Sequence, residues 1–337
     1  YPTTRKWCNA PTKIAHAEDI LISVRAPIGA LNYAKEECCI GRGLAAITPN
    51  QDKVSSGFIY WLLKGKHKEL NLQGTGSTFK AISRKVLEEI KVPDIELKKQ
   101  TELAGSLEKI YSVIQLRKQQ LEELDILIKA RFVEMFGDPI QNEKNWSRRS
   151  LEQLCHSIVD CPHSTPNYIS EDTGFMCIRT SVVKKNKILW DEIEYIVEDE
   201  FNQRIQRKRP EKGDIVYTRE GAILGIAAII DRNCNVALGQ RSMLLSPDSS
   251  VCTSEFICTA MNSDSFLSNA LRGISGSASP HINVGDIKSF EMIAPPLELQ
   301  RKFSEFNSQV DKLKVEVQKS LDEMQILFDS LMQEYFG

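Results

Sequence analysis

Two stretches of the chain share one pattern of apolar positions. In the first, Leu103, Leu107, Ile110, Ile114, Arg117, Leu121, Leu124, Ile128, Arg131 and Met135 alternate by four and three residues. In the second, Phe303, Phe306, Val310, Leu313, Val317, Ser320, Met324, Leu327 and Leu331 do the same. A seven-residue apolar repeat with mostly polar residues between predicts amphipathic helices. No proline interrupts residues 98–138 or 297–337. Helices of about 60 Å, at 1.5 Å per residue, predict two partners in a coiled coil rather than two covers on globular cores. The expected interface is Leu107, Ile114, Leu121, Leu124 and Ile128 with Val310, Val317, Met324, Leu327 and Leu331. Arg117, Arg131 and Ser320 at seam positions would help fix register.

Ahead of each long helix the pattern shortens. β-branched runs at residues 20–24, 215–218, 226–230 and 243–245, punctuated by Gly, Pro and Asn, predict strands. Helices are expected around residues 58–63 and 255–263. A Gly/Ser loop follows at 74–78 or 273–279, and Pro93 or Pro295-Pro296 closes the stretch.

This common grammar is a duplication. At one offset of 200, residues 76–137 contain 12 ungapped identities, among them Gly76-Ser77, Ile82, Gln100, Leu121, Phe136 and Gly137. Upstream the halves correspond with small shifts: Glu18-Asp19-Ile20-Leu21 with Gly213-Asp214-Ile215-Val216, and Gly41-Arg42-Gly43 with Gly239-Gln240-Arg241. Arg25 is expected to match Arg219, and Gly29 to match Gly225. A period this long excludes a solenoid and leaves two copies of one module. The second copy carries about 58 residues before the point matching Tyr1, so the first reads as N-terminally truncated. The expected divisions are 1–96, 97–137, 138–296 and 297–337.

Composition narrows the classes. With 42% apolar and 26% charged residues the chain can bury a core. No apolar run reaches the roughly 18 residues of a membrane span, and no leader is evident, so a cytoplasmic protein is expected. Nine cysteines without a CxxC pair argue against a disulfide framework. The cluster Cys155, His156, Cys161 and His163 matches no familiar zinc spacing. Net charge is −2, yet residues 1–92 carry 14 basic and 8 acidic side chains. A second basic group, Arg204, Arg207, Lys208, Arg209 and Lys212, reads as a solvated loop or a phosphate-facing patch.

Catalytic signatures are weak. The segment Gly74–Lys80 lacks the GK[ST] ending of a phosphate loop. Asp94 and Glu96 fall on one turn at a helix start, where carboxylates cap rather than gather two metals. GxSxG, HExxH and GxGxxG are absent. What remains is two modules bearing arginine-rich, hydroxyl-rich loops. Two readers at a set separation suit a target with two half-sites.

Those residues resemble the specificity subunit of type I restriction-modification enzymes. The similar stretches are CPHSTPNY (161–168), IRTS (178–181), GDIVYTREGAILG (213–225), LGQRSMLLSP (238–247), GSASPHIN (276–283), APPLELQ (294–300) and the repeated Phe-Gly ending each long helix. The resemblance implies an α+β protein with two similar mixed α/β target recognition domains separated by two long antiparallel coiled-coil helices. It implies double-stranded DNA as ligand, each domain taking half of a bipartite site. It further implies recruitment of two methyltransferase subunits, which use S-adenosylmethionine to methylate adenine, and of restriction/translocase subunits, which use ATP and Mg. The chain itself would bind no cofactor or metal and have no catalysis. Other readings are a C-terminal part of a fused methyltransferase or nuclease polypeptide, and a helical-spacer adaptor that binds protein.

Candidate DNA-contacting residues in the first half are Arg25, Arg42, Ser77 and Lys80. In the second they are His163, Ser164, Thr165, Arg179, Thr180, Arg207, Lys208, Arg219, Gln240, Arg241, Ser277 and His281. Arginine can bond guanine bidentately, while hydroxyl, amide and imidazole groups reach base edges or phosphates. Arg25 and Arg219 could equally hold the next glycine loop, and His163 could simply organise a turn between two prolines.

Overall fold

A computed structural model describes residues 7–75, 80–272 and 280–337. Ser77 and Ser277 lie outside the described residues. The chain forms two compact units, residues 1–121 with 315–337, and residues 122–314.

The first unit is built on an antiparallel sheet of β1 (Ile20–Ser23), β2 (Leu31–Tyr33) and β3 (Leu44–Ile47), ordered β2-β1-β3. Helices α1 (Ser56–Gly65) and α2 (His67–Leu72) follow. Then comes α3 (Leu97–Phe136), whose opening belongs to this unit. Ile20, Ile22, Phe58, Trp61 and Leu62 form the core with Leu107 and Ile114 of α3.

The second unit has a four-stranded antiparallel sheet of β4 (Cys155–Asp160), β5 (Ile215–Thr218), β6 (Ala227–Ile229) and β7 (Ser242–Pro247), ordered β6-β5-β7-β4. A smaller sheet joins Met176–Ile178 to Glu194–Tyr195 and, in parallel, to Val236–Leu238. Helices α4 (Ser254–Met261) and α5 (Asp264–Ala270) complete the unit with the start of α6 (Leu297–Phe336).

The duplication is visible in backbone geometry. Glu18 and Gly213 both have positive φ, 69° and 96°, and each donates its N–H across to the neighbouring strand's end, Ala34 and Ile230. The buried carboxylates of Asp19 and Asp214 accept from the N–H three residues earlier, His16 at 2.8 Å and Glu211 at 2.9 Å. Gln100 and Gln300 are buried and act alike. Their side-chain oxygens accept from the N-cap N–H of α1 (Ser55) and of α4 (Thr253), both at 3.0 Å. Their amides donate to Ile95 and Pro295 carbonyls, so each glutamine ties a module helix to a long one.

Within each unit the long helices run antiparallel. In the first, Leu103, Leu107 and Ile114 share a core with Leu321, Phe328 and Phe336, and Lys99 lies 5.7 Å from the Tyr335 ring. In the second, Phe132 and Phe136 meet Phe303 at 5.5 and 5.6 Å, and Lys314 pairs with Asp125 at 2.6 Å. Val310 and Val317 are buried, and Leu121, Leu124, Met324 and Leu331 pack half-buried beside the cores. Leu327 departs from expectation: it is 43% exposed, and Phe328 is buried in its place. Leu313 is exposed likewise, with Leu321 buried further along. One line of the α6 seam therefore sits a residue later than a 4-3 reading puts it, because the large Phe328 ring fills the space against Trp61 and Tyr111. No described helix is long and apolar enough to cross a membrane.

Candidate nucleic-acid interface

Strand direction brings the predicted loops of the second unit together. In the antiparallel sheet, β4 and β5 end where β7 begins, because Asp160 is opposite Met243 and Thr218 opposite Ser242. The residues following Asp160 and Thr218 and preceding Ser242 thus emerge at one end of the sheet. Thr165 donates from its hydroxyl to the Gln240 side-chain oxygen at 3.2 Å. Arg241 lies 4.0 Å from the Glu220 carboxylate, and the Glu220 backbone forms an isolated antiparallel β-bridge with that of His281. Arg241 is exposed and has φ +72°, a left-handed conformation uncommon outside glycine, which turns the chain into β7.

Beneath these side chains lies a fixed layer. Arg219 is buried at 6% exposure and grips Asp160 bidentately through one edge of the guanidinium, Nε to Oδ1 at 2.9 Å and Nη2 to Oδ2 at 3.2 Å. Such fork-on-fork geometry makes a strong, directional pair. Of the two roles open to Arg219 in the sequence, the geometry fills the loop-holding one. His163 Nε2 sits 3.2 Å from the same carboxylate, with most of its ring exposed.

Arg204 belongs to the basic group read as one patch, but it is buried. It donates to the Ser164 carbonyl at 2.9 Å, to the Leu238 carbonyl and to Glu200. Glu200 in turn accepts the Asn167 N–H at 3.2 Å. The basic group is thus split by partners far away in sequence. Lys208 lies 3.4 Å from buried Asp214, Arg209 donates to Asn235, and Arg207 stays exposed with a bond to the Asp160 carbonyl.

Arg179 stacks 4.5 Å over the Tyr168 ring and pairs with Glu194, whose hydrogen bond raises the guanidinium further above its ordinary value. Burial pushes the Tyr168 phenol up, so it remains a neutral hydroxyl. Thr180 opens the adjoining 3-10 turn, half-buried. A Cβ at Gly239 would stand 2.8 Å from the Tyr168 oxygen and 2.9 Å from the Ile178 carbonyl, so this loop needs glycine to close on its neighbours.

The first unit uses the same end of its sheet. Arg25, Arg42 and Lys80 are exposed there, without an ion pair among the described residues. The hydrogen bonds correct one correspondence. Val24 donates to Gly43 as Arg219 donates to Arg241, and Ile82 bonds Val24 as Ile282 bonds Arg219. Arg219 therefore matches Val24, and Arg25 matches Glu220. The second copy has one residue more between strand and glycine, so the arginines align in sequence but not in space.

Asp160, Glu220, Glu194 and Glu200 are the site residues that sequence reasoning missed. Their arginine partners lie 15 to 59 residues away, or four for Glu200, and no local pattern marks the longer pairs. Among the described residues no group of three His, Cys, Asp or Glu could hold a metal ion. The Cys155 and Cys177 thiols are pushed up by burial, both to about 12, which suits packing rather than ligation.

Residues 9–125 and 143–323 match the family described as Type I restriction modification DNA specificity domain. Over 125 residues the chain is 40% identical to the putative type I restriction enzyme MjaX specificity subunit of Methanocaldococcus jannaschii, a stretch covering 37% of this chain and 29% of that protein. It is 23% identical over 270 residues to the MjaVIII specificity subunit of the same organism, covering 76% and 63%. These matches thus span less than two thirds of either relative. The crystal structure of the type I restriction-modification S subunit from M. genitalium has a similar fold, with a TM-score of 0.63 at 15% identity, covering 96% of this chain and 84% of that one.

Proposed function

We propose a function from one premise: the chain belongs to the family of type I restriction-modification DNA specificity domains. In this reading it is the non-catalytic DNA-reading subunit, each unit taking one half of a bipartite double-stranded site. The observation that carries it is the gathering of Arg, Gln, Thr and His side chains at one sheet end of the second unit, over a buried layer that fixes them, with Arg25, Arg42 and Lys80 at the same sheet end in the first. Arg241, Gln240, Thr165 and His163 are the proposed readers of the second unit, and Arg25, Arg42 and Lys80 those of the first. The long helices set the gap between half-sites. Two methyltransferase subunits using S-adenosylmethionine, and restriction subunits using ATP and Mg, would supply the chemistry in the cytoplasm.

Genomic adenine-methylation mapping in a host expressing the chain with its partners tests this. Arg241→Ala should weaken one half-site by about 1–3 kcal/mol and spare the other. Equal loss on every DNA sequence would make Arg241 a phosphate or structural residue. Duplicating four residues near Leu121–Leu124 adds about 6 Å of helix, which should widen the gap by about one to two base pairs. Altered bases within a half-site would refute the ruler. Methyl transfer by the purified chain alone would overturn the non-catalytic reading. Binding that ignores salt would favour the protein-binding adaptor, since phosphate contacts release counterions.

A further inference from the structure

Arg179 leaves the smaller sheet of the second unit at the point where the reading loops converge. It follows Met176–Ile178, and the Ile178 carbonyl accepts the Gly239 N–H at 2.8 Å. The next residue, Gln240, holds Thr165. Strand register brings Glu194 to Arg179. Glu194 stands opposite Cys177, and Arg179 lies two residues on, still extended at φ −88° and ψ 156°, so the three share one face. The Tyr168 ring lies 4.5 Å from the guanidinium, and its hydroxyl bonds the buried Cys177 thiol.

A carboxylate on Nη1 and an aromatic face together fix the plane of this guanidinium. They leave its Nε–Nη2 edge without a hydrogen bond among the described residues, on a side chain 46% exposed. Arg219 grips Asp160 with that same edge. Two parallel donors fit either a phosphate or the N7 and O6 acceptors of guanine. Charge decides between them. Paired with Glu194 the arginine is neutral as a unit, and a phosphate brought against it would meet the carboxylate as well. Guanine offers uncharged acceptors and meets no such repulsion. Arg241 repeats the pattern, with Glu220 at 4.0 Å. Arg207 does not: among the described residues only the Asp160 carbonyl holds it, so its charge is not offset.

We propose that Arg179 reads a guanine in the half-site of the second unit, with Glu194 and Tyr168 as positioning residues that set the plane of its guanidinium. The inference rests on the DNA reading above and deepens it. It names a base, the residue that recognises it and the carboxylate that keeps that residue off the phosphates.

The probe is duplex DNA with a randomised stretch, offered to the full chain in complex with its partners, the retained fraction being sequenced. The unaltered chain should enrich a two-part motif. Arg179→Lys keeps the charge but loses the fork, and should relax one G·C position by about tenfold while the other half-site stands unchanged. Arg179→Ala should do the same and leave the salt dependence of affinity as it was, because no phosphate contact is lost. Glu194→Gln frees the guanidinium charge. It should reduce the same preference severalfold while tightening binding to duplexes of unrelated sequence, which a glutamate that only braces the fold would not do. A motif that both Arg179 variants leave intact would overturn the inference and spare the DNA reading. So would a salt slope reduced by about one in Arg179→Ala, the mark of a lost phosphate contact. A chain that enriches no motif would overturn both.

Discussion

The two copies of the module place arginine at the same end of the same sheet and use it in opposite ways. In the second unit β4 lies beside β7 and ends in Asp160, so Arg219 enters the interior with a carboxylate waiting. In the first unit the described residues supply no strand beyond β3 and no such carboxylate. There Val24 fills the position equivalent to Arg219, and Arg25 and Arg42 stay in solvent. An arginine's role here follows from what the rest of the chain brings against it, not from its place in the loop.

Removing the carboxylate breaks that contrast most severely. Asp160→Ala leaves Arg219 buried without its partner and should cost the second unit about 3–5 kcal/mol. Arg25→Ala, on the exposed first unit, should stay within about 0.5 kcal/mol. Chemical denaturation of each variant reads both, and a similar loss in the two would dissolve the distinction.

A smaller effect separates the paired glycines. Gly239→Ala pushes a methyl against the Tyr168 oxygen and the Ile178 carbonyl, and should cost about 1–3 kcal/mol. Its counterpart Gly41 has nothing within 4 Å of an added Cβ, so Gly41→Ala should be nearly silent. Thermal unfolding of both variants decides it.

The smallest effect lies in acid. Burial alone would raise the Asp138 carboxyl, but the hydrogen bonds of Gln141, Ser265 and Ile140 outweigh it and hold the group below its ordinary value. Its contribution is therefore present above the unfolded value of about 3.9 and fades as pH falls through the lower folded one. The stability gap between the protein and Asp138→Asn should be widest at neutral pH and close below about pH 4. A gap that persists in acid would assign the effect to the amide's geometry instead.

Much of this was legible from residues alone. Period seven gave the long helices, and an offset of 200 gave the repeat, because both are local or self-referential patterns. The Gln100–Gln300 identity even flagged two side chains with one shared structural task. The pairing of Arg25 with Arg219 failed because identity of residue type outweighed a one-residue shift that only the strand hydrogen bonds reveal. Arg204 was read with its exposed neighbours because Ser164, its partner, lies 40 residues away. Leu327 was misplaced because a heptad count cannot foresee that the ring of Phe328 would claim the seam.

The division of the long helices between units also orders events in time. The second unit is a single run of chain, residues 122–314, whereas the first needs residues 315–337 to finish a core begun by residues 20–114. During synthesis from the N-terminus, the sequence made first is consequently the last to be completed. Ile20, Phe58 and Trp61 must wait, with their apolar surface in need of shelter, until Phe328 and Phe336 have left the ribosome.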